Sequence, residues 1–232
     1  MTTSASWLLA LDTATTTIVV AIGSPDGTLL ASDAFEGRYK HSQALLPAVV
    51  ELVASAGVRM ADLAGVVVGT GPGAFTGLRV GLATAKTLAH ELHVPVVGIS
   101  TAEALLAAAS ASSAADSVSD GVELWLPSGP RDRVVVRAGT SPLIVTGDGT
   151  VDASNVPAVA VDLDGRAPGA AVERGKAALA GLPGALLRLG AARLADGDVD
   201  DPERLVPRYA SAPRGASSEQ AEGSVAWSHD PR

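Results

Sequence analysis

Near the N-terminus, the residues best equipped for chemistry are one carboxylate and a run of hydroxyls: Asp12, Thr13, Thr15 and Thr16. A carboxylate ending a buried strand, followed by a hydroxyl-rich turn, can hold a hydrated cation and phosphate oxygens. Turns that take nucleotide phosphates in this way usually carry a glycine, and none stands between Asp12 and Thr16. The pattern predicts a weak or vestigial nucleotide contact at Asp12, Thr13 and Thr15. The plainer alternative is that Asp12 caps its own turn through neighbouring backbone N–H groups. The best second acid is Asp148 in Thr146-Gly147-Asp148-Gly149, a stretch that also reads as a hairpin turn.

A glycine-rich run follows, Gly69-Thr70-Gly71-Pro72-Gly73-Ala74-Phe75-Thr76-Gly77-Leu78-Arg79-Val80-Gly81. It feeds a helix, whose N-terminal N–H groups favour an anion. It is not a phosphate-binding P-loop, because no Gly-Lys-Ser/Thr follows and Lys86 lies well inside the helix. Nor do Gly71, Gly73 and Gly77 have the dinucleotide spacing. Gly73, Gly77 and Gly81 instead recur every four residues, which predicts a flat face for close packing of another helix. Glycine inside a helix costs about 1 kcal/mol against alanine, so Gly81 needs a packing or ligand reason.

There are four histidines: His41, His90, His93 and His229. His41 opens a helix. His90 and His93 could in principle share a metal, but a place in the last helical turn, favoured by the dipole, is the plain reading. The chain has no cysteine, which excludes disulfides, thiol nucleophiles and thiolate zinc sites. It has no His-Glu-x-x-His and no Gly-x-Ser-x-Gly. No catalytic residue and no metal-ligand set is predicted.

The elements that must position these groups follow from the hydrophobic pattern. Residues 7–12 read as a buried strand, 17–23 as a second and 28–35 as a third, joined by tight turns into an antiparallel meander. Leu45, Leu46, Val49, Val50, Leu52 and Val53 fall at helical spacing over His41 to Ala56, with Pro47 predicting a start near Ala44 or a bend. Val66 to Val68 is a short, parallel, interior strand. A helix from about Thr76 to Leu92, a strand over 94–99 and a helix from Thr101 complete the order βββαβαβα. This is an α/β mixed sheet with helices on its faces, the ribonuclease-H-like half-domain of actin-like ATPases (the ASKHA fold). Residues 1–109 form this first domain. A divergent second domain spans 110–212, opening on a small, polar linker at 110–120. Its strand candidates are 122–126, 133–137, 143–145 and 159–161, and a helix over 170–194 is predicted to break or bend around Gly181 to Gly184. Residues 213–232 read as a flexible tail that Trp227 could anchor.

Composition narrows the function classes. The 232 residues carry a net charge of −8, and no segment is basic, so nothing along the chain marks a surface for a nucleic-acid backbone. Aromatics are 3%, too few for a stacking platform for bases. Met1 to Leu11 is not read as a secretory signal, and polar residues interrupt the apolar stretches before membrane length. The expectation is a cytoplasmic protein with no membrane association.

Leu9-Ala10-Leu11-Asp12-Thr13-Ala14-Thr15, His41-Ser42-Gln43-Ala44-Leu45-Leu46-Pro47, Gly71 to Gly81, and Pro95-Val96-Val97-Gly98-Ile99-Ser100-Thr101 together resemble the bacterial TsaB (YeaZ) family, also filed as glycoprotease-like. The likeness is firm over 7–101 and thins over 102–200. It returns at Leu205-Val206-Pro207-Arg208-Tyr209, with Val225-Ala226-Trp227 near the end. The family's Asp-Ala-Arg-x-x-x-Val-Tyr segment is replaced by Gly121 to Val134, which lacks its Asp and Tyr.

The resemblance implies a non-catalytic scaffold and activator that pairs with its paralogue TsaD. TsaD transfers threonylcarbamoyl to N6 of the adenosine after the anticodon in tRNAs reading A-starting codons. It further implies a second partner, the ATPase TsaE, tRNA contact mainly through the partner, and a homodimer in isolation. No cofactor is required; ATP or ADP with Mg²⁺, at low affinity or at the partner interface, is the one the residues could take. In the family, first-domain helices of the two paralogues form a shared bundle. Here that points to Leu45, Val49 and Leu52 on one helix and Gly77, Gly81 and Ala85 on the next, so Gly81→Leu should block docking and leave the monomer folded. Three alternatives stay open: a small ATP-binding or ATP-hydrolysing enzyme using Asp12, a peptidase, which no motif supports, and a bare structural domain with another partner.

Overall fold

The computed structural model describes residues 6–37, 41–112, 121–147 and 156–209. Strands β1 (Trp7–Asp12), β2 (Thr17–Gly23) and β3 (Leu29–Glu36) form the expected meander. Helix α1 (His41–Ser55), a 3₁₀ turn at Met60–Asp62, β4 (Leu63–Gly69), α2 (Phe75–Leu92), β5 (Val96–Ile99) and α3 (Thr101–Ser112) follow. The sheet order is β3-β2-β1-β4-β5, with β1, β4 and β5 mutually parallel. β1 therefore lies at the centre and delivers Asp12 to the C-terminal end of the parallel strands, where open α/β sheets place their sites.

The core explains why these strands read as continuous apolar runs: both faces of the sheet are covered. Leu9 and Leu11 of β1, Ile18, Val20 and Ile22 of β2 and Val66 and Val68 of β4 pack under α1 and α2. The alternate residues Leu8, Ala10, Val19, Ala21 and Val67 face α3 and the last helix.

The second half repeats this layout in shorter strands. β6 (Glu123–Pro127), β7 (Arg133–Arg137) and β8 (Leu143–Val145) are an antiparallel meander, and β9 (Ala158–Ala160) pairs parallel to β6, giving the order β8-β7-β6-β9. On β6, Glu123 is buried and receives the Arg137 guanidinium and Trp125 Nε1–H. Leu124 and Leu126 of β6 and Val134 and Val136 of β7 join the α3 side of the first sheet in one core. Helix α4 (Gly169–Ala195) crosses back and packs on both sheets and along α3.

Two helix expectations change. α4 is continuous through Gly181, Pro183 and Gly184, because α3 and the sheets hold it along its length. Pro183 costs about 3 kcal/mol in a helix interior, but its neighbours Leu182, Ala185, Leu186 and Leu187 are fully buried and outweigh it. At Gly181 a side chain would press on Ala108 of α3. Likewise α1 starts at His41, not near Ala44, with Pro47 inside it. By length and composition α4 could cross a membrane, yet here it is a core helix. Of the expected linker at 110–120, residues 110–112 close α3 and 113–120 lie outside the described residues, as do the tail from 213 with Trp227 and His229.

Candidate functional site

Asp12 is completely buried. Its Oδ2 accepts a hydrogen bond from Thr101 Oγ1 at 2.6 Å, and its Oδ1 accepts one from the Ala14 N–H at 2.8 Å. Burial pushes its pKa up to about 6, with the two hydrogen bonds pulling the other way. The carboxylate thus ties the β1–β2 turn to the first residue of α3, 89 positions away.

The hydroxyls are committed in the same manner. Thr13 Oγ1 donates to the Gly77 carbonyl in the first turn of α2, at 2.8 Å. Thr15 Oγ1 donates to the Thr17 carbonyl and accepts the Thr17 N–H. Thr16 donates twice to Asp162, from its N–H to Oδ2 at 2.7 Å and from Oγ1 to Oδ1 at 2.6 Å. Asp162 belongs to the second half and has a left-handed backbone, φ 57°. One turn therefore binds α2, α3 and the second half at once.

The glycine run serves this turn. A Cβ on Gly69 would overlap the Asp12 carboxylate, one on Gly73 the Ala14 carbonyl, and one on Gly81 the Thr13 hydroxyl. The Ala14 carbonyl accepts the Ala74 N–H at 2.7 Å at the start of α2. The every-fourth spacing does mean close approach, but the neighbour is the β1–β2 turn and not another helix. Gly73 also precedes the helix.

The far side of the loop is closed by a segment whose packing the sequence did not disclose. Arg208 donates its N–H to the Thr70 carbonyl at 2.7 Å, and the Tyr209 ring lies 4.8 Å from Phe75. Arg79 stacks over Phe75 and donates Nε–H to Tyr209 Oη at 3.1 Å. Upstream, Arg193 of α4 pairs with Asp198 and Asp200, and Asp200 also accepts the Gly98 N–H. The available signal was the Pro-Arg-Tyr ending, noted as a family feature but without a location.

A Mg²⁺-nucleotide does not fit at Asp12. Both carboxylate oxygens are engaged within the chain, and Gly69 lies against the carboxylate. Among the described residues no group of three or more His, Asp or Glu could hold a metal. His90 and His93 are exposed, with parallel rings 6.5 Å apart; His90 sits in the last turn of α2, and His93 caps it with φ 57°. Asp148 lies outside the described residues.

The six residues expected to dock a partner are corrected in position. Leu45, Val49, Leu52 and Ala85 are buried in the core under the first sheet, and Gly77 and Gly81 lie against the β1–β2 turn. The sheet takes that stripe because it is the wider apolar face of each helix. The apolar residues left outside include Leu46 and Val50 on α1, 48% and 52% exposed, and Phe75 and Ala83 on α2.

Known proteins match this chain in both sequence and shape. A Mycobacterium tuberculosis protein is 41% identical over 101 residues, 43% of this chain and 48% of that protein. The tRNA threonylcarbamoyladenosine biosynthesis protein TsaB of Escherichia coli is 38% identical over 94 residues, 40% of each. The chain thus spans less than half the length of the curated relatives it matches. YeaZ from Pseudomonas aeruginosa superposes with a TM-score of 0.63 at 25% identity, covering 87% of this chain and 98% of that one. The family model TsaD: tRNA N6-adenosine threonylcarbamoyltransferase matches residues 36–158, more than half of the chain. With its glycine run folded onto a closed Asp12 turn and the fold of YeaZ around it, the chain belongs to this TsaD family, on the side of its TsaB/YeaZ homologues.

Proposed function

We propose that the chain is a non-catalytic scaffold and activator that pairs with TsaD for threonylcarbamoyl transfer to N6 of the adenosine after the anticodon in tRNAs reading A-starting codons. The observation that carries this reading is the closed turn. Asp12, Thr13 and Thr15 spend their oxygens holding the chain's own elements together, which suits a structural subunit and leaves no open position for a reacting group.

Leu46 and Val50, with the outward positions of α2, form the docking face. The same face makes the homodimer when the chain is alone. TsaE joins the assembly, and tRNA is held mainly by the partner, in keeping with the net charge of −8. Any adenine nucleotide binds at the partner interface and not at Asp12. The assembly works in the cytoplasm.

Reconstitution tests the reading. The chain is mixed with TsaD, a threonylcarbamoyl-adenylate supply and unmodified tRNA, and threonylcarbamoyladenosine is quantified. Product should depend on this chain, and the chain alone should give none. Equal product without it, or no association between the two proteins, would remove the scaffold role.

A further inference from the structure

No stretch of the sequence is basic, yet the fold gathers three arginines around one cavity. Arg131 and Arg133 come from the end of the β6–β7 turn and the start of β7, and Arg166 from the turn leading into α4. With Gly147 and Leu163 they line a space of about 140 Å³, several times the volume of a water.

Two of the three are held in place. Arg166 donates Nη1–H to the Gly129 carbonyl at 3.2 Å and Nη2–H to the Asp132 carbonyl at 3.0 Å. The Arg133 guanidinium lies 4.7 Å above the Trp125 ring. Arg131 is exposed and makes no hydrogen bond or ion pair among the described residues. Of the neighbouring acids among the described residues, Asp132 lies at the cavity edge, its Oδ1 accepting the Gly147 N–H at 3.2 Å, and Asp162 is taken by Thr16. Arg131 is the guanidinium with N–H donors left to offer, beside the positive charge of the two that are held, and such a group suits the oxygens of a phosphate. In a chain of net charge −8, three guanidiniums against the one carboxylate at its edge make this pocket locally positive among the described residues.

We propose that Arg131, Arg133 and Arg166 form a binding site for a phosphate group, carried either by a nucleic-acid backbone or by a small phosphorylated ligand. The nucleic-acid source rests on the proposed function, where this chain would add a phosphate contact to the tRNA that its partner holds.

Two arms separate the sources. In the first, inorganic phosphate is titrated against the full chain at matched ionic strength. The Tm of the unmodified chain should rise, and that of Arg131→Ala and Arg131→Glu should not. In the second, unmodified tRNA is titrated against the complex of this chain with TsaD at several salt concentrations. Arg131→Ala should weaken binding evenly across tRNA sequences and lower the slope of log K against log salt by about 1. A changed slope assigns the phosphate to nucleic acid. A phosphate response with an unchanged slope assigns it to a small ligand and still supports the site. No phosphate response together with an unchanged slope overturns the proposal. Circular dichroism of both variants checks that the fold is kept. Failure of threonylcarbamoyl transfer with the unmodified chain would count against the proposed function alone, since the inorganic phosphate arm does not depend on it.

Discussion

The β1–β2 turn and the β6–β7 turn occupy equivalent places, each linking the first two strands of a meander whose first strand later gains a parallel neighbour. Their fates are opposite. The first turn is acidic and hydroxylated, buried under α2 and α3, and hydrogen-bonded to three parts of the molecule. The second carries arginines and opens onto a cavity. The first sheet is covered on both faces, so its turn had to satisfy every polar group internally. Among the described residues the second sheet has no helix pair corresponding to α1 and α2, so its turn can keep charged side chains in water. One architecture therefore yields a structural clamp in one half and a candidate ligand surface in the other.

The largest effect should come from filling the clamp. Gly81→Leu places a side chain where the Thr13 hydroxyl sits, and overpacking of this kind should cost about 3 kcal/mol or more. Urea denaturation of the monomer would show it. A variant of native stability that merely fails to dock would return Gly81 to the interface and undo the comparison.

Next is the pH response of Asp12. Its folded pKa of about 6 lies above the ordinary 3.8. Between about pH 4 and pH 6 the folded chain therefore keeps a proton that the unfolded chain has released. This stabilisation is fully present below about pH 4 and is lost as pH rises through about 6, on the order of 2–3 kcal/mol. Asp12→Asn should lack it. The difference in denaturation free energy between the two proteins, followed from pH 4 to 7, isolates this group, since the exposed carboxylates are common to both. A difference that does not change with pH would mean that Asp12 is not buried as described.

A smaller change is expected from Thr16→Val, which removes one of two bonds to Asp162 and leaves the N–H bond. The pair is exposed, so the cost should be about 1 kcal/mol or less. Hydrogen exchange should quicken in the β1–β2 turn more than in β6 and β7. Equal change in both would show that the halves are not joined at this point.

The least effect on monomer stability, within about 0.5 kcal/mol, is expected from Leu46→Glu with Val50→Glu. Yet, on the proposed docking face, this pair should abolish co-purification with TsaD and any self-association measured by light scattering. Retained pairing would place docking on another surface.

The strand order βββαβαβα was legible because a sheet covered on both faces writes itself as apolar runs, and because turns such as Ser24-Pro25-Asp26-Gly27 have their own chemistry. The short second-half strands at 133–137 and 143–145 were legible as β-branched and apolar runs between turn residues, although the second of them is exposed. Helix orientation was not. Leu45 and Leu46 are equally apolar neighbours, and only the position of the sheet sends one inward and leaves the other 48% exposed. Pro183 and Gly181 read as a break because propensity is local, while the burial that overrides them comes from residues distant in the chain.

By itself, the sequence determined the element order, the presence of a carboxylate turn beside a glycine-rich helix start, and the absence of any thiol or metal motif. These depend on neighbours within a few residues, where propensity and spacing act. Tertiary structure alone decided that Thr101, 89 residues away, caps Asp12, that Gly81 yields its space to Thr13, and that Arg131, Arg133 and Arg166 meet at one cavity. Those outcomes depend on which surfaces close together in space, and side-chain order along a chain does not carry that distance.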